Sequence, residues 1–403
     1  MKNFYKNRFK RLVSNDEDKD DPSFWSKTLR PHPLGEFSIA VLQASETMED
    51  HAQVETSRHG TFIGVYDGHV GDDASRFVVE HLFPTFVNFI FLTIFHLLRL
   101  GSVCVVARNG LSEFVKEGMS VGDAIRESFS STDEEFLEMV GRTREAKPLM
   151  AATGSCCLVG IVLACGTVYV ANAGNSRAVL GGFLDSHIPK DFVVEQLSED
   201  HLASTSDSVK QSPVSPAQLG DPNIVELNTG ARGFVQGTRA IGDAYLKKQE
   251  FSLPPEYPRF RRPEPLTRPL STAEPSIRAH SLQPNDRFLI FASSGLWEHL
   301  SNQEAAEIVL RNPREGIARR LIRAAIKVAE KKSGVRYAIM KLLGEGGRLA
   351  CHNDITVVVV YTDHEMIGRA SVDTSITGAS IRGFIDAETA SDFSLLDEVE
   401  LMK

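Results

Sequence analysis

Runs rich in Val, Ile and Phe recur along the chain at 37–43, 61–66, 155–163, 167–172, 287–292 and 355–361. Short apolar runs of this kind, rich in β-branched residues, predict strands. Between them the spacing changes to that of helices. Ser301 and Glu304 form a capping-box pattern opening a helix over 302–310, with each side chain set to hold the other's backbone N–H. Asn312-Pro313 predicts an N-cap with proline at the first helical position. In that second helix Ile317, Leu321, Ala325 and Val328 share one face, with Arg319, Arg320, Arg323 and Lys327 mostly elsewhere. Strand clusters with helices grouped between them predict an α+β architecture rather than a strict βαβ alternation. The chain carries no internal repeat.

The polar stretches divide the chain into a flexible N-terminal segment 1–34, one domain over 35–362 and a flexible tail 363–403 rich in Ser, Thr, Asp and Glu. Two loop insertions interrupt the domain. Residues 204–223 are rich in Ser, Pro and Gly. Residues 247–270 are Pro-rich and carry Lys247, Lys248, Arg259, Arg261, Arg262 and Arg268; they read as a wrapped loop or as a basic lip beside a phosphate site. The apolar run 86–107 has the length of a membrane span but contains Asn88, His96 and Arg99. Burying Arg99 near a bilayer centre would cost about 2.5–3.5 kcal/mol, and a span would split the domain. A buried helix or an apolar insertion is the expectation, and a membrane span is not.

Composition narrows the class. With 403 residues, 42% of them hydrophobic, the chain can bury a large core. A net charge of -9 argues against a nucleic-acid binder. Five cysteines with no Cys-x-x-Cys spacing give neither a disulfide framework nor a zinc signature, so a reducing intracellular compartment, cytoplasmic or nuclear, is expected for a monomer. The first 12 residues hold five basic side chains among Phe4, Tyr5, Phe9 and Leu12: a solvated end, or a segment for membrane association or nuclear import. Lys2 excludes N-myristoylation.

Candidate chemistry sits at two strand ends. Thr47-Met48-Glu49-Asp50 follows the first strand-like run, and Tyr66-Asp67-Gly68-His69 closes the second. Glu49, Asp50 and Asp67 could meet at one sheet edge as the oxygen cluster that a hard cation needs; Asp-Gly equally punctuates turns.

The blocks QASETMED, GTFIGVYDGHVG, ATGSCCLVGIV, VYVANAGNSRAVLGG, GTRAIGDAYLKK, FASSGLWEHLSNQEA and HNDITVVVVY resemble, in order, those of the metal-dependent type 2C protein serine/threonine phosphatases, most of all their plant branch. The resemblance runs from about residue 37 to residue 361. It implies two central antiparallel sheets packed as a sandwich with helices on both outer faces. It implies hydrolysis of phosphoserine or phosphothreonine in protein partners by a water activated between two Mg2+ or Mn2+ ions. By position, Asp67 bridges both metals, the Gly68 carbonyl binds one of them, Glu49 and Asp50 hold that same metal, and His69 protonates the leaving oxygen.

The chain departs from the family pattern at four positions. Ser294 stands where an aspartate ligates the second metal, Asn353 replaces a second aspartate of that metal, Asn175 replaces an acid that can serve an extra metal, and Val70 replaces a glycine. Asp354 could rescue the site by a register shift, although a strand's next residue points to the other face. The expectation is a phosphatase with a weakened second metal site; the alternative is a catalytically impaired pseudophosphatase that binds or competes for phosphoproteins.

Overall fold

The computed structural model describes residues 21–99, 120–185, 188–202, 238–260, 265–343, 346–367 and 379–382. Its strands form two antiparallel sheets. One runs β1 (Phe24–His32), β2 (Gly35–Leu42), β12 (Ile355–Thr362), β11 (Asp286–Ala292), β7 (Arg177–Asp185) and β8 (Ile188–Gln196). The other runs β10 (Ser276–Ser281), β6 (Thr167–Ala173), β5 (Gly154–Leu163), β4 (Gly60–His69), β3 (His51–Ser57) and β13 (Ala379–Arg382), with the short β9 (Ile241–Gly242) joined to β5.

The helices are α1 (Asp73–Arg99), α2 (Val121–Thr143), the single-turn α3 (Ala244–Lys247) and α4 (Ser294–Trp297), then α5 (Asn302–Arg311), α6 (Ile317–Ser333) and the short α7 (Tyr337–Met340). Side chains alternate across a strand, and here both faces of the central strands are covered. In β12, Val358 and Val360 point between the sheets with Ile63, Val65, Leu158 and Phe291. Ile355, Val357, Val359 and Tyr361 point outward, where Leu321, Ile322 and Ala325 of α6 cover them. In β4 the inward pair is Ile63 and Val65, while Phe62 and Tyr66 lie under Val78, Leu82 and Phe83 of α1. This double burial turns a strand's alternation into a continuous apolar run. The result is the expected sandwich with helices on both outer faces.

The ends of the domain differ from the sequence expectation. Residues 24–32 lie in the segment expected to be flexible, yet they pair with β2 along their length apart from one bulge. Their partial exposure hid them, because an edge strand that is half-buried to exposed along most of its length carries little apolar signal. In the expected C-terminal tail, residues 379–382 pair with β3, and Ser380 and Arg382 both reach the fully buried Glu55. The run 86–107 is helical up to Arg99, and Phe86, Val87 and Ile90 fill the core beneath α1. Among the described residues no helix is long and apolar enough to cross a membrane. Residues 1–20, 100–107 and 204–223 lie outside the described residues.

Helix ends follow local chemistry. The Ser301–Glu304 capping box forms in both directions. Asn312 does not start the next helix: its side-chain amide donates to the Ile308 carbonyl at 2.7 Å. It closes α5, and α6 begins after a left-handed Gly316.

Where β5 crosses β11, Gly160 leaves room for a ring. A Cβ there would stand 2.3 Å from Phe291 Cε1. Gly160→Ala is expected to destabilise the protein by about 1–3 kcal/mol through overpacking, read from urea unfolding. Adding Phe291→Leu should recover part of that loss; no recovery would mean that the contact between the sheets is not what fixes glycine there.

Candidate active site

Strand ends from both sheets meet at one rim of the sandwich and enclose a cleft of about 260 Å³. Asp67, Gly68 and His69 close β4, opposite Cys156, Ser155 and Gly154 of β5. Ser294 opens the turn after β11, and Asn353 and Asp354 lead into β12. Asn175 lies between β6 and β7. Glu49 and Asp50 come from the crossover that carries the chain from β2 in one sheet to β3 in the other. All of these residues except Ser155 and Gly154 line the same cleft.

Gly68 is required by proximity. A Cβ on it would meet the Glu49 carbonyl oxygen at 2.3 Å and Ser75 Oγ at 2.8 Å. Ser75 Oγ already donates to that carbonyl at 2.5 Å, so the strand end and the crossover are fastened together. Val70, two residues on, has φ +66°. A β-branched side chain is strained in this left-handed region, which glycine enters freely.

The three acids sit close together, Asp50 buried and Glu49 and Asp67 half-buried. Glu49 is raised to about 7 by burial first and by the Asp354 charge second. Burial raises Asp50 well above its usual range, and the Asp67 and Asp354 charges add to this. Asp67 is raised by burial against the opposing pull of Ser294, whose backbone N–H and Oγ–H both donate to Asp67 Oδ2, at 2.8 and 2.5 Å. Asp50 Oδ2 is buried and accepts no hydrogen bond. A desolvated acid cluster with an unused buried oxygen is chemistry suited to a divalent cation. Among the described residues, however, no three His, Cys, Asp or Glu side chains are arranged to close on one ion. Any cation there would need carbonyls and water to complete its shell, as a hard ion commonly does.

The other candidate positions divide. Asn353 donates from Nδ2 to Glu298 Oε1 at 2.7 Å. The Asp354 carboxylate is engaged by backbone on both oxygens: Oδ1 by the N–H groups of Ala44 and Ser45 at 2.5 and 2.9 Å, Oδ2 by those of Glu49 and Asp50 at 2.8 and 3.4 Å. Two residues not singled out in the sequence also reach the cleft, Arg239 and Asp243. Asp243 lies 3.0 and 3.1 Å from His69 Nε2 through its two oxygens. Burial works to lower the His69 pKa, but the Asp243 charge and hydrogen bond outweigh it and leave the imidazole raised. Both residues belong to the block GTRAIGDAYLKK, in which a Gly-Asp step was the available signal. Lys247, the first residue of the segment that reads as a wrapped loop or a basic lip, is buried against Asp133.

The protein phosphatase 2C family model matches residues 36–334. The chain belongs to the protein phosphatase 2C family. It is 48% identical to a probable protein phosphatase 2C 43 of Oryza sativa subsp. japonica over 95% of this chain and 91% of that one. It is 44% identical to a probable protein phosphatase 2C 68 of Arabidopsis thaliana over 93% and 89%. A crystal structure of serine-threonine phosphatase 2C from Toxoplasma gondii superposes with a TM-score of 0.55 at 20% identity, over 85% of this chain and all but 1% of that one. That likeness fits the family sandwich described above.

The Glu49 shift carries a stability consequence. A carboxyl raised from 4.5 to about 7 on folding holds a proton that the unfolded chain has released. Its contribution is therefore present below about pH 4.5 and lost as pH rises through about 7. In chelator, the melting temperature of the wild type should fall over this window more steeply than that of Glu49→Gln. Parallel pH profiles would mean that Glu49 is not held out of water.

Proposed function

We propose that the protein hydrolyses phosphoserine or phosphothreonine in protein substrates at this cleft, with a second cation position weaker than the first. The reading is carried by the meeting of Glu49, Asp50, Asp67 and the Gly68 backbone beside His69, in a chain of this family. Asp67 and the Gly68 carbonyl would hold one Mg2+ or Mn2+ ion, with Glu49 and Asp50 reaching it partly through water. Cations bound here supply an acidified water nucleophile and neutralise charge on the phosphoryl oxygens.

His69 handles the proton on the other side of the phosphorus. Asp243 engages Nε2 and favours the charged imidazole near neutral pH. Nδ1 has no protein hydrogen bond among the described residues, which leaves it to donate to the departing serine or threonine oxygen. Asp243 then stabilises the orientation of the ring rather than the leaving group itself.

Hydrogen-bond donors at positions 294 and 353 support the weaker second position. Ser294 donates to Asp67, and Asn353 donates to Glu298, so two acids are served by protons where the family pattern would add carboxylates. Neither side chain brings charge. A unit charge about 4 Å from a dication is worth several kcal/mol even at an effective dielectric of 20, so losing two such ligands lowers affinity by orders of magnitude. The same observation favours a second reading, in which the cleft retains phosphoproteins without turning them over.

Phosphate release from a phosphothreonine peptide, titrated with Mn2+ against an Asp67→Asn blank, tests both readings. Release above the blank that saturates only at high Mn2+ is expected. Ser294→Asp with Asn353→Asp should raise it about tenfold or more, since each restored carboxylate strengthens the weaker position. No gain would remove the argument about the second cation. Release equal to the blank from folded protein at every Mn2+ concentration would favour the binding reading.

A further inference from the structure

The turn that presents Asp243 to His69 is held from behind by a buried ion pair. Asp133, in the middle of α2, accepts on one oxygen, Oδ1, from the Gly242 backbone N–H at 2.8 Å and from Lys247 Nζ at 2.6 Å. Lys247 Nζ also donates to the Ala240 carbonyl at 2.8 Å. These bonds close residues 240–247 into a ring. Asp133 and Lys247 are each 8% exposed.

Inside the ring the backbone takes two left-handed steps, φ +93° at Gly242 and +49° at Asp243. Asp243 N–H is tied to the Thr153 carbonyl at 2.8 Å. A Cβ at Gly242 would meet that same carbonyl oxygen at 2.6 Å and Phe136 Cε1, one turn of α2 beyond Asp133, at 3.2 Å. On the side of the cleft, a Cβ at Gly154 would stand 2.5 Å from His69 Nε2 and 2.8 Å from Asp243 Cγ. Asp243 is thus confined between β5 in front and α2 behind. Glycine takes the first step freely, but a left-handed Asp243 is costly unless its surroundings fix it. A buried ion pair is often no more stabilising than apolar side chains of the same size, so stability alone does not account for one here.

We propose that Asp133 and Lys247 are positioning residues, which set the Asp243 carboxylate against His69 and so fix the ring that delivers the proton. The proposal rests on the phosphatase reading for its kinetic consequence, but its geometric content does not. Neither residue lines the cleft, so both act through the 240–247 turn.

The experiment uses the full chain with Asp133→Ala, Lys247→Met, Lys247→Arg and the reference Asp243→Asn. The first readout is the ring nitrogen NMR signature of His69, which requires no turnover. Asp133→Ala and Lys247→Met are expected to move it toward the position seen in Asp243→Asn, with Lys247→Arg returning it toward wild type. The second readout compares kcat on a phosphothreonine peptide with kcat on p-nitrophenyl phosphate, whose leaving group departs without a proton. The alanine variant should lose about tenfold or more on the peptide, as expected when proton delivery is impaired, with KM and the p-nitrophenyl phosphate rate moving less than about threefold.

A His69 signature unchanged in both Asp133→Ala and Lys247→Met overturns the proposal. So does equal loss on the two substrates, which marks a general structural role. If Asp133→Ala does not fold, the Lys247 pair supplies the same comparison. A signature that moves in Asp133→Ala and Lys247→Met, with no turnover by the wild type, supports the positioning role and removes the phosphatase reading instead.

Discussion

One carboxylate joins the two sheets at the site. Where the chain leaves β2 and crosses to β3, it passes through a buried corner with backbone N–H groups that no strand partner meets, and buried N–H groups must be satisfied. Asp354, at the start of β12, accepts four of them, from Ala44, Ser45, Glu49 and Asp50. The positions of the Glu49 and Asp50 side chains follow from that brace. The same brace adds negative charge beside them, and it is among the causes that raise both groups. Order in the crossover and tension among the acids have one origin.

The central strands were legible because they are buried on both faces and therefore read as continuous apolar runs, as at 155–163 and 355–361; their pairing into a sandwich came from the family resemblance. The edge strands were not legible, for the opposite reason: Lys27, Arg30 and Pro31 interrupt β1. Asn312-Pro313 misled because a side-chain amide can close the helix before it as readily as open the one after it. Glu49, Asp50 and Asp67 drew notice from their place at strand ends and His69 from the family resemblance, and all four line one cleft. Asp243 was not, since its partnership with His69 spans 174 residues and depends on a left-handed turn that no periodicity announces. Asp133 lay further out of reach, on a helix whose pattern speaks only of its apolar face.

Two uncharged side chains at the cleft each donate to a neighbouring acid. Ser294 fills its place at the head of α4 and satisfies Asp67 with two hydrogen bonds. Asn353 gives Glu298 a single one. Both side chains are uncharged donors, so each settles a neighbouring acid without adding charge to the cleft.

The strand ends that carry Asp67, Cys156, Ser294 and Asp354 belong to the interior of a sheet: β4 and β5 in one, β11 and β12 in the other. Local opening begins where few buried contacts hold the chain, at edges and termini. β1, β8, β10 and β13 can therefore fray while the floor of the cleft stays closed. The chemistry is hung from the part of the molecule that opens last, and partner proteins could tug at the periphery without loosening it.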